Sequence, residues 1–65
     1  MYGVTGIDHA GHEVTLDSGL GNYWTAYDEA RRSSADASWA QVQVRSVDEV
    51  VSCGFTQGRR VIFPR

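Results

Sequence analysis

The sequence predicts an α+β protein: an antiparallel sheet of four to five strands in the order ββαββ(β), with a single helix packed on one face. Three observations predict it. Segments such as 13–17 and 39–45 alternate apolar and polar residues; one segment, from about 24 to 35, repeats small or apolar residues at spacings of three and four; and glycines punctuate the chain between these stretches. Half-buried strands and one amphipathic helix bury their apolar sides most economically by packing the helix on the sheet. A small five-stranded barrel with the helix across one end is the alternative.

The first strand is read from the β-formers Tyr2, Val4, Thr5 and Ile7, with Gly3 and Gly6 marking a bulge or a close approach of another group. In 13–17, Val14 and Leu16 point one way, and Glu13, Thr15 and Asp17 the other. The intervening Asp8-His9-Ala10-Gly11-His12 makes a hairpin turn, in which Gly11 takes the positive φ. After the loop 18–22 the helix begins at Trp24 or Ala26. Thr25 is the expected N-cap, with Asp28 completing a capping box and, with Glu29, filling the first turn. Tyr23, Ala26, Tyr27, Ala30, Ser33, Ser34 and Ala37 share its inner side, and 33–36 is a weak helix end. The clearest strand is 39–45. Ala40, Val42 and Val44 form its apolar face, and Trp39, Gln41, Gln43 and Arg45 its other face. Val47-Asp48-Glu49 turns the chain into a strand over 50–55, Thr56-Gln57-Gly58 turns it again, and a last strand over 59–63 ends at Pro64. The expected core is Val14, Leu16, Tyr27, Ala30, Val42, Val44 and Val51.

Sixty-five residues form one domain, 1–65, whose core holds the fold by only a few kcal/mol, on the order of 3–5. Enclosed substrate pockets need roughly 300 Å³ or more, which weighs against an enzyme acting alone. No apolar run approaches the ~18 residues of a membrane span, and the N-terminus lacks a basic stretch followed by an apolar one. With Cys53 as the single cysteine, and hence no internal disulfide, a cytoplasmic protein is expected. Cys53 itself reads as a small buried strand residue. All six basic residues are arginine, and the net charge is −2. Acids outnumber bases six to two up to Asp36, and bases outnumber acids four to two beyond it, so the chain has an acidic end and a mildly basic one.

The hairpin, then Tyr27-Asp28-Glu29-Ala30-Arg31-Arg32, then Val42-Gln43-Val44-Arg45 and Val50-Val51, resembles short ββαββ proteins of high-GC bacteria and their phages, most of which have no assigned function. The likeness covers roughly residues 13–52, rests on periodicity with no invariant motif, and carries over no catalytic residue. It implies the same fold and would suit a phage or mobile-element origin. The segment 55–65 lies outside it.

No Gly-x-Ser-x-Gly elbow, phosphate loop or dinucleotide fingerprint is present, so no catalytic residue and no cofactor are expected. His9 and His12 flank a turn rich in carboxylates and form a weak metal-binding alternative, with Cys53 as a third ligand only if the strands bring it there. Arg59, Arg60 and Arg65 beside Phe63 could meet phosphate and stack a base, the nucleic-acid alternative; equally, they are solubilising charges on an edge strand. The main expectation is a protein-interaction module, acting as a homo-oligomer or by docking on a larger protein. One helix covers one face of a sheet, so the other is left for a partner protein or a second copy. Trp39, Gln41, Gln43 and Arg45 are expected on that face, with Trp24 as a further aromatic contact.

Overall fold

The computed structural model describes residues 1–61. Strands β1 (Tyr2–Asp8) and β2 (Glu13–Leu20) form a hairpin; helix α1 (Tyr23–Ser33) follows; and β3 (Trp39–Ser46), β4 (Val51–Thr56) and β5 (Arg59–Val61) complete one antiparallel sheet in the order β2-β1-β3-β4-β5. The sheet stays open, with β2 and β5 at its edges, so the predicted α+β architecture forms and the barrel alternative does not. The predicted continuation of the last strand to Phe63 and its stop at Pro64 lie outside the described residues.

Local chemistry accounts for each turn. In the β1–β2 hairpin the Asp8 carboxylate accepts from the amides of Ala10 and His12, both at 2.9 Å, and Gly11 sits at φ 89°. The helix is capped by Asn22 instead of Thr25. Its Oδ1 accepts from the Trp24 and Thr25 amides at 2.8 and 3.3 Å, so α1 starts at Tyr23 and leaves Asp28 and Glu29 beyond the first turn. At the other end Ser34 is buried. Its hydroxyl donates to the Arg31 carbonyl and accepts from the Gly58 amide at 2.9 Å, which ties the helix end to the β4–β5 turn.

The helix presents Ala26 and Ala30 to the sheet. These small residues let it lie close on Val4, Val42, Val44, Cys53 and Phe55, which are fully buried with them. Burial of each of these Val and Phe side chains is worth about 1.5–3 kcal/mol. Ala30, Val42 and Val44 were expected here. Leu16 and Tyr27 pack at the margin of this core, and Val14 and Val51 lie outside it. Val14 faces the helix side, opposite Gly6, but on edge strand β2, where α1 does not cover it. Val51 is displaced by a register shift. The pairing passes from Val44↔Cys53 to Arg45↔Val51, skipping Ser52, and this puts Val51 beside Arg45 on the uncovered face.

A similar irregularity overturns the expected position of Trp39. The β1–β3 register steps from Ile7↔Gln41 to Asp8↔Trp39, skipping Ala40. Strict alternation would send Trp39 away from the helix. The bulge instead returns its indole to the helix side, over Gly6, where it packs against the core.

Candidate functional site

Two surfaces gather chemistry. The first is the uncovered face of the sheet. Alternation along β3 puts Gln41, Gln43 and Arg45 there, as predicted, in a hydrogen-bonded ladder. Gln43 donates to Gln41 at 2.6 Å, and Arg45 donates through Nε and Nη2 to Gln43 Oε1 at 3.1 and 2.9 Å. The Arg45 Nη1 reaches Glu13 on β2 at 3.1 Å and Glu49 at 3.4 Å. The hydrogen bond from Arg45 holds the Glu13 carboxyl below its ordinary range, and the bond to Glu13 in turn keeps Arg45 charged. The Arg45 side chain is only 15% exposed, and Thr5 is buried at the floor between these walls. This face is hollow. An open cleft of about 530 Å³ runs past Met1, Thr5, Glu13, Thr15, Arg45 and Glu49. Among the described residues no buried side-chain polar atom lacks a hydrogen-bond partner.

The second surface lies on the helix side, at the β4–β5 edge. Tyr27 stands edge-on to buried Phe55, with ring centroids 4.9 Å apart, and Trp24 meets Tyr27 at 5.3 Å and Tyr23 at 5.0 Å, also edge-on. The register Phe55↔Arg60 puts Arg60 on the same side, with its guanidinium carbon 5.6 Å from the centre of the Tyr27 ring. Trp24 is 67% exposed. Sequence reading singled out Trp24 and Arg60 under separate readings and counted Tyr27 as core. That the three come together depends on the β4–β5 register that sets Arg60 opposite Phe55, which no local pattern encodes.

The remaining candidates are not brought together. Trp39 has left the uncovered face. The His9 ring bonds the Ala37 carbonyl at 2.9 Å, and His12 lies 3.4 Å from Asp8. Cys53 is buried under the helix with the Tyr23 hydroxyl 3.6 Å from its sulfur, so it cannot join the histidines. Among the described residues no group of three or more His, Cys, Asp or Glu side chains is placed to hold a metal ion. Arg59 is on the uncovered face of β5, opposite Thr56, and Arg65 lies outside the described residues. No helix among the described residues is long and apolar enough to cross a membrane.

No family model, curated protein or solved structure matches the chain. The functional reading therefore rests on these two surfaces.

Proposed function

We propose that this chain is a small non-enzymatic protein-interaction module, working as a homo-oligomer or by docking on a larger protein, with its contact centre at Trp24, Tyr27 and Arg60. The observation that carries the reading is the indole of Trp24, 67% exposed yet held between the rings of Tyr23 and Tyr27. Leaving a large apolar ring in water forgoes roughly 1.5–3 kcal/mol of burial. A ring already fixed by its neighbours loses little side-chain entropy when a partner covers it. Trp, Tyr and Arg are also the residue types that dominate interface energetics.

A second reading, nucleic-acid binding through Arg59, Arg60 and Arg65, draws support from one observation. Arg31, Arg32 and Arg45 all pair with carboxylates, whereas Arg59 and Arg60 have no such partner among the described residues. Against it stand the net charge of −2 and Asp28 and Glu29 on the neighbouring helix. A phosphate backbone needs several uncompensated cations.

The deciding experiment compares wild type, Trp24→Ala and Arg60→Glu as immobilised baits in host extract, alongside mobility shifts with single-stranded DNA and RNA. The module reading expects protein capture that survives high salt and is lost with Trp24→Ala. Capture indifferent to both variants would refute it. A salt-sensitive shift abolished by Arg60→Glu would establish the second reading instead.

A further inference from the structure

We infer that the partner of the Trp24–Tyr27–Arg60 patch is a second copy of this chain, which receives the patch in the hollow of its uncovered sheet face; this rests on the module reading above. The two surfaces are complementary in charge. The side chains of Glu13 and Glu49 line the hollow against one arginine, Arg45, a side-chain charge of −1. Arg60 at the patch has no carboxylate partner among the described residues. The surfaces also match in apolar character. Met1 and Val47, 69% and 70% exposed, border the hollow, and Trp24 is the exposed ring of the patch. The hollow is an open cleft of about 530 Å³.

The geometry dictates the kind of assembly. The patch lies on the helix side at the β4–β5 edge, and the hollow on the opposite face across β2, β1 and β3. One molecule cannot offer both to the same neighbour through a two-fold axis that pairs like with like. The contact is head-to-tail, and it repeats until a ring closes or a filament grows. Patch against patch would oppose arginines, and hollow against hollow would oppose glutamates, so like pairings are disfavoured.

The test is sedimentation velocity from micromolar to millimolar protein at low salt, with circular dichroism to verify folding. Wild type is expected to grow with concentration past the dimer. Arg60→Glu and Glu49→Arg change exposed side chains and leave Glu13 on Arg45; each alone should remain monomeric where wild type associates. An equimolar mixture of the two should associate again, because each reversed surface then meets its complement on the other variant. Wild type that stays monomeric at millimolar concentration, association that persists in Arg60→Glu, or a mixture that stays monomeric would each overturn the inference. If wild type is monomeric yet captures a different protein through Trp24, the self-assembly inference falls while the module reading stands. If it is monomeric and capture ignores Trp24, both fall.

Discussion

Gly6→Ala isolates the contact that moved Trp39 off the uncovered face. A methyl group built on Gly6 would lie 2.7, 2.8 and 2.9 Å from Cε3, Cζ3 and Cδ2 of the Trp39 indole, where carbon atoms prefer about 3.5–4.0 Å. The ring would have to retreat by most of an ångström. Gly6 does not occupy the left-handed region, so the backbone accepts alanine, and the loss of glycine's freedom in the unfolded chain favours the variant by roughly 0.5–1 kcal/mol. Overpacking costs about 1–3 kcal/mol. The clash therefore wins, with net destabilisation of about 1–2 kcal/mol and a Tm lower by roughly 5–15 °C. Urea unfolding followed by circular dichroism measures the cost, and a red shift of tryptophan emission reports the displaced indole. In a Trp39→Leu background the obstacle is gone, so the same Gly6→Ala change should become neutral or stabilising. Equal costs in the two backgrounds, or a more stable Gly6→Ala in the wild-type chain, would refute the packing of the indole on this glycine.

Three further outcomes follow from particular contacts. Asn22→Ala removes the acceptor for the Trp24 and Thr25 amides and should cost about 1 kcal/mol, read as a Tm lower by roughly 4–8 °C. The Tyr23 phenol is pushed up to about 12, mainly by burial and then by its bond to Cys53. Its folded pKa lies above the unfolded value of 10.0, so the stability it contributes is complete below pH 10 and is lost toward pH 12. An ultraviolet titration should show a tyrosine step near pH 12 that vanishes in Tyr23→Phe. Burial, and then the adjacent Asp17 carboxyl, raises the Glu29 carboxyl above its ordinary value of 4.5, so ionised Glu29 weakens the fold at neutral pH. Glu29→Gln should therefore raise Tm at pH 7 and lose that advantage as the pH falls below the folded Glu29 pKa; an advantage independent of pH would contradict this origin.

The elements and their order are written in local patterns, and they form as read: the alternation of Gln41, Val42, Gln43 and Val44 makes a strand with one covered face, and the small residues Ala26 and Ala30 make the inner side of the helix. Departures concentrate where the register slips. A period of two predicts faces only while pairing is regular, and the bulges that skip Ala40 and Ser52 move Trp39 inward and Val51 outward. Cys53, read as buried, and Phe55 lie in the regular part of β4, opposite Val44 and Val42, and so keep the covered face that the slip denies Val51. Asn22 and Thr25 are both competent caps, so the local sequence alone does not fix the helix start. Asn22 lies on the turn out of β2, and α1 begins one residue after it. The site was less legible than the fold, since Arg60 reaches Tyr27 only through the β4–β5 register that sets it opposite Phe55.

The polar ladder explains why the uncovered face is not a flat apolar docking surface. The expectation of an apolar contact on that side depended on Trp39, which packs on the helix side instead, and Val51, expected in the core, stands there beside a guanidinium. Gln41, Gln43, Arg45, Glu13 and Glu49 satisfy one another already, and a broad apolar partner would strip water from these charges with nothing to replace it. Such a face can accept a cation at its acidic rim, where Glu13 and Glu49 are 55% and 79% exposed, but gains little from area alone. Apolar binding energy must then come from elsewhere on the molecule. Of the exposed large apolar side chains among the described residues, Met1, Val14, Val47 and Val50 are aliphatic; only Trp24 is a ring braced by other rings, one of which, Tyr27, carries the Arg60 guanidinium. A sheet face that steers by charge and a helix face that anchors by an indole divide the work of recognition between them, and so the two are expected to fail separately. Loss of the rim charge should change the salt dependence and rate of association, and loss of Trp24 should change how long the complex lasts.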